Sequence, residues 1–218
     1  MNNAWSNIKS NDYDAHMSHP NVGQTQMLNR ITKEQFELIS QQKYPAPNVA
    51  ILGITNGNGL EHVVACGIAK VIGIDINKTF LDECKERYGD LKSKLNLFQI
   101  DLMSETAKAV EIISESDLII ANLIIKHIHL DNFMKIISAL PKHNQIISCV
   151  IQVNPDGTTL SKSGFEDVFK VIAEEREEEN EDLIISEMKN SKFTLTNRYV
   201  HDLPNGKQFV RLDFIAYD

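Results

Sequence analysis

From residue 48 onward, short apolar runs alternate with segments of helical period, and that rhythm admits few folds. Residues 49–54 read as a buried strand, 59–66 as a helix, 70–75 as a strand and 78–88 as a helix. The pattern continues with strands at 95–100, 117–121 and 146–153 and a helix at 105–113. Between the last two strands, Leu130, Phe133, Met134, Ile137 and Leu140 form an apolar stripe that Pro141 stops, as one face of an amphipathic helix requires. Strands spaced by helices in this way build βαβ units. The expected fold is therefore α/β: a doubly wound parallel sheet covered on both faces, with a ligand crevice at the carboxyl ends of its strands.

Both ends of the chain depart from that rhythm. Phe193, Leu195, Asn197 and Tyr199 alternate with polar residues, Pro204-Asn205-Gly206 supplies a turn, and Val210, Leu212, Phe214 and Ala216 alternate again. The sheet should thus have seven strands, mostly parallel with an antiparallel C-terminal strand pair. Residues 1–45 are polar, contain Trp5, Tyr13, His16, Met17 and His19, and end in a helical pattern through Met27, Leu28, Ile31, Phe36, Leu38 and Ile39. Pro45 and Pro47 then punctuate the chain. Two parts are expected: a helical N-terminal extension over 1–45, lying over the crevice as a lid, and a binding domain over 46–218. A chain starting near Pro45 should still bind its ligand, because every binding motif lies beyond that point.

Charge and hydropathy narrow the class. The formal net charge is −8, yet 174–182 alone carries seven acids and one arginine, so the rest of the chain is close to neutral. Phosphate neutralisation needs a lysine and arginine excess on one face, and no such cluster occurs; nucleic acid is not the expected substrate. The longest apolar stretch, 118–125, is far short of a membrane span, and the first residues have no signal-peptide pattern. Cys66, Cys84 and Cys149 are odd in number and lack any CxxC, which suits reduced thiols in a cytoplasmic protein without a metal site.

The motif that carries chemistry is Ala50-Ile51-Leu52-Gly53-Ile54-Thr55-Asn56-Gly57-Asn58-Gly59, a strand that runs into a glycine-rich turn. Glycine lets the backbone turn tightly and approach a ligand, and a helix start offers unpaired N–H groups. The next strand, Val71-Ile72-Gly73-Ile74-Asp75, ends in an acid whose carboxylate can accept both hydroxyls of a ribose. The third, Phe98-Gln99-Ile100-Asp101, ends in another. Three consecutive strand ends thus bring Gly57 and Gly59, Asp75 and Asp101 to one sheet edge, where a nucleoside can lie. Taken alone, Asp75 could instead cap the next helix.

In these residues the chain resembles the class I S-adenosylmethionine-dependent methyltransferases, by motif over roughly 48–155 and by topology to 218. The resemblance implies a Rossmann-like sheet and S-adenosylmethionine as cofactor. It implies that Thr55, Asn56, Gly57 and Gly59 contact the methionine portion, that Asp75 holds the ribose with Ile76 beside the adenine, and that Asp101 reaches the adenine amino group with Leu102 against the ring. Asn122, with Leu123 and His127, would line the reacting end. The family's loop begins with an acid, where this chain has Gly53 and Thr55.

Methyl transfer needs alignment and exclusion of water more than it needs a base. Where a base is required, the candidates are His127, His16 and His19, because histidine titrates near neutral pH. The expected reaction is methyl transfer to a small-molecule acceptor by a monomer or homodimer that engages neither nucleic acid nor membrane. Two alternatives share the motifs. One is a non-catalytic protein that binds S-adenosylmethionine or a partner; the other is an NAD-dependent oxidoreductase, against which stands His62 where close helix packing favours glycine or alanine.

Overall fold

The computed structural model describes residues 4–42, 44–141, 145–154, 163–175 and 178–217, without the side chain of Glu175. Its strands are β1 (Asn48–Leu52), β2 (Lys70–Asp75), β3 (Leu95–Gln99), β4 (Leu118–Asn122), β5 (Ile146–Val153), β6 (Phe193–Asp202) and β7 (Gln208–Ala216). They form one sheet in the order β3-β2-β1-β4-β5-β7-β6. The first five run parallel, and β7 is antiparallel to both β5 and β6. The expected seven strands with an antiparallel C-terminal pair are present. A bulge between Leu195 and Asn197 shifts the register of that pair.

Two apolar layers cover the sheet. Along β1, Ala50 and Leu52 enter one core with α4 (Thr106–Ile113), α6 (Leu130–Ser138) and α8 (Glu181–Asn190). Val49 and Ile51 enter the other, with Phe36 and Ile39 of α2 (Gln24–Ser40) and Leu81 and Cys84 of α3 (Lys78–Arg87). Period-two alternation inside a wholly apolar strand is what a parallel sheet buried on both faces demands. In α6 the predicted stripe is the buried face, since Leu130, Phe133, Met134, Ile137 and Leu140 are all buried, and Ile136 joins them.

The helix expected over 59–66 does not form. Leu60–His62 is a single 3₁₀ turn, and the chain continues in turns to Gly67, which adopts φ +68°. Most of its bonds span three residues, such as His62 N–H to Gly59 O at 3.2 Å and Val63 N–H to Leu60 O at 3.1 Å. A segment this short, held between glycines and carrying two adjacent valines, lies below the length at which a helix sustains itself. The layer is filled by α2 instead, whose Thr32 presses on Gly59.

By its packing the N-terminal extension falls into two pieces. In α2, Ile31, Gln35, Phe36 and Ile39 are fully buried, and Phe36 and Ile39 share a core with β1 and β4. The preceding piece, a 3₁₀ turn at Ala4–Asn7 and α1 (Ser10–Ser18), lies on the carboxyl edge of the sheet. The remaining helices are α5 (Ile125–Ile128) and α7 (Glu166–Glu175). Among the described residues no helix is long and apolar enough to cross a membrane.

Candidate active site

The chain leaves β1 for β2 and β3, then returns to β4 on the other side of β1, which opens a crevice at the carboxyl ends of the strands. A cavity of about 220 Å³ occupies it. Thr55 and Asn56 line it from the turn after β1, Asp75 and Ile76 from the end of β2 and just beyond it, Asp101 and Leu102 from the turn after β3, Asn122 and Leu123 from the end of β4, and His127 from α5. Of the three histidine candidates, His16 and His127 line the cavity. His19 does not; its Nδ1 accepts the Asn21 N–H at 3.2 Å.

Gly57 and Gly59 do not themselves line the cavity, although Asn58 between them does. Both have positive φ, +87° and +93°. A Cβ on Gly57 would stand 2.7 Å from Cys84 Sγ, and one on Gly59 would stand 2.6 Å from Thr32 Cβ. Close packing against α3 and α2 therefore requires these glycines. The loop residues that do reach the cavity are Gly53, Ile54, Thr55, Asn56 and Asn58. Thr55 has φ +50°, a sparsely populated conformation for a β-branched residue. Its N–H is drawn inward and donates to Asp75 Oδ2 at 2.9 Å.

Asp75 is 7% exposed. Oδ1 accepts the Asn77 N–H at 2.9 Å and Oδ2 accepts that of Thr55. Burial, opposed by the N–H groups of Asn77, Thr55 and Ile76, pushes its carboxyl up to about 6. It is not the cap of α3. That role belongs to Asn77, whose side chain accepts from Thr79 N–H and Phe80 N–H. Asp101 is committed locally: Oδ1 accepts Met103 N–H, Oδ2 accepts Ser104 Oγ–H, and its own N–H donates to Glu105 Oε2.

The N-terminal piece covers this edge through specific bonds. The side chain of Asn56, 2% exposed, donates to Asp14 Oδ1 at 2.7 Å, and Arg87 reaches Asp14 Oδ2 at 3.3 Å. Asn77 Nδ2 donates to the carbonyls of Trp5 and Ile8 at 2.9 and 3.0 Å. Trp5 meets the His127 ring edge-on at 4.8 Å, and Tyr13 packs on Phe80 at 5.3 Å. Burial raises the Tyr13 phenol, while a hydrogen bond with Thr55 acts the other way. His16 stacks on Phe169 at 4.6 Å with Nδ1 2.6 Å from Ser163 Oγ. Burial holds that imidazole below its ordinary range, hence neutral at pH 7.

Sequence reasoning missed Asp14, Asn77, Lys126 and Lys207; both lysines are buried and line the cavity. It also missed Gln35, for which a signal existed. Gln35 stands four residues from both Ile31 and Ile39, a polar side chain on the apolar stripe of α2.

No family model matches the sequence, and no curated protein matches it. Solved structures do. Magnesium protoporphyrin IX methyltransferase from Synechocystis PCC 6803 with bound SAH superposes with a TM-score of 0.66 at 13% identity, over 98% of this chain and 96% of that one. Geranyl diphosphate C-methyltransferase from Streptomyces coelicolor A3(2) gives 0.63 at 11% identity, over 90% and 84%. The N-methyltransferase NodS from Bradyrhizobium japonicum WM9 gives 0.61 at 10%, over 87% of each chain. Likeness at such identities speaks for architecture, and the architecture of this chain is the class I S-adenosylmethionine-dependent methyltransferase fold.

Proposed function

We propose that this chain binds S-adenosylmethionine in the crevice and transfers its methyl group to a small-molecule acceptor. The observation that carries the reading is the convergence of Thr55, Asp75, Asp101 and Asn122, from four strand ends, on one cavity at the switch point of the sheet. The side chains fit such a cofactor. Asp75 presents a carboxylate acceptor to a ribose, Ile76 and Leu102 offer apolar surface to a base, and Asp101 stands beside Leu102 to take an amino group. Bound there, the cofactor supplies a methyl group already activated by its sulfonium. The chain then has to align the acceptor and exclude water, for which the cover of Trp5, Tyr13 and α1 serves as the lid. His127 and the neutral His16 are the groups placed to take a proton if the acceptor must lose one. The protein acts in the cytoplasm, as a monomer or homodimer.

Calorimetric titration with S-adenosylhomocysteine and with NAD tests the reading. Binding of the first and none of the second is expected; the reverse would make the crevice a dinucleotide site. Asp75→Ala should weaken S-adenosylhomocysteine by about 1.5–3 kcal/mol, since it removes a charged acceptor. A folded variant with undiminished affinity would leave Asp75 as a tie for the loop alone.

The same carboxyl gives the affinity a pH dependence. With its value at about 6, the ionised form that accepts from ribose prevails at pH 7 and above, and the protonated form below 6. Affinity should be flat above pH 7 and fall by up to about tenfold per unit below 6. Asp75→Asn cannot titrate, so its profile should be level through that range; a wild-type-like slope in the variant would assign the titration to another group.

A further inference from the structure

A polar chain runs across the face of the sheet that α2 covers, from β7 to the cavity, and its partners fix its direction. Arg211 and Asp213 on β7 are buried and paired, with Nε to Oδ1 at 2.9 Å and the second guanidinium contact to Oδ2 at 2.8 Å. Asp213, fully enclosed, can only accept when ionised, so Ser148 on β5 must donate to it, at 2.6 Å. The Ser148 oxygen is then an acceptor for Gln35 Nε2–H at 2.8 Å. That contact decides which way the Gln35 amide faces. Its second N–H donates to Asn122 Oδ1 at 2.9 Å, and its Oε1 accepts from Asn122 Nδ2 at 3.0 Å.

We propose that Gln35 is a positioning residue that holds the amide of Asn122 in one orientation toward the cofactor, set by the Arg211–Asp213 pair through Ser148. The two reciprocal bonds use one N–H and one lone pair of Asn122, so one of each remains for the cavity it lines. An unanchored asparagine would turn over between its two amide orientations, which exchange its donor and its acceptor. The ion pair removes this freedom from a distance. Gln35 does not line the cavity itself; it acts through Asn122.

The inference rests on reading the cavity as an S-adenosylmethionine site, and S-adenosylhomocysteine is the probe. Affinities are measured for the full-length protein, Gln35→Met, Asn122→Ala and the double variant, with melting temperatures alongside. Gln35→Met keeps the volume and removes the bonds. It should weaken S-adenosylhomocysteine about tenfold, as should Asn122→Ala, and the double variant should be no weaker than Asn122→Ala alone. A structural role would lower the melting temperature of Gln35→Met while its folded fraction binds as the wild type does; that result, or effects that multiply in the double variant, overturns the proposal. Ser148→Ala replaces Gln35→Met if the latter does not fold. It should weaken binding in the wild-type background and have no effect beside Asn122→Ala; an effect of equal size in both overturns the proposal. Wild-type protein that does not bind S-adenosylhomocysteine overturns the site reading and the proposal together.

Discussion

A chain truncated to begin at residue 46 is expected to show no cooperative thermal transition and no S-adenosylhomocysteine binding. One face of α2 is core: Ile31, Phe36 and Ile39 are fully enclosed, and Gln35 is bonded to both Asn122 and Ser148. Losing large side chains from such positions costs about 2–5 kcal/mol each, and a domain has only about 5–15 kcal/mol in total. The α2 deletion therefore exceeds what the sheet can absorb. A chain that begins at Pro20 retains α2 and should fold. It lacks the bonds from Asn56 to Asp14 and from Asn77 to Trp5 and Ile8, so S-adenosylhomocysteine should still bind but dissociate faster, as stopped-flow exchange can measure. Cooperative melting of the shorter chain, with binding intact, would mean that α2 only docks on a sheet that is stable alone.

Gly59→Ala should be strongly destabilising. The added Cβ would stand 2.6 Å from Thr32 Cβ, and the backbone has φ +93°. Left-handed strain costs about 1–2 kcal/mol and overpacking about 1–3 kcal/mol, giving roughly 2–5 kcal/mol of lost stability in chemical denaturation. Thr32→Ala removes two of the three atoms that would clash, so the double variant should recover part of the loss. Because Gly59 does not line the cavity, affinity for S-adenosylhomocysteine in the folded fraction should change little. A large loss of affinity at unchanged stability would return Gly59 to the ligand.

These two expectations concern the places where the sequence was read least well. The glycine-rich turn was visible as a motif, but its glycines have two possible uses, approach to a ligand or approach to a helix. Only the position of Thr32 and Cys84 decides between them. Likewise the apolar stripe of Met27 to Ile39 announced a helix and not its neighbour. Amphipathic period tells which face is buried, never against what.

The sequence by itself determined the sheet. Continuous apolar runs at β1, β2, β4 and β5, interrupted by helical segments, leave parallel pairing as the way to bury both faces, and the alternation at β6 and β7 around Pro204-Asn205-Gly206 leaves antiparallel return. It also determined which strand ends carry acids, because a strand's last residue must lie at the sheet edge. What only the tertiary structure decided is the use of each polar group there. Asp75 ties down Thr55, Asn77 caps α3, Asp14 holds Asn56, and Gln35 reaches Asn122 across 87 positions of chain. The reason is physical: hydrophobic period is local and survives in one dimension, whereas a buried hydrogen bond exists only between two groups that separate elements bring within about 3 Å of each other.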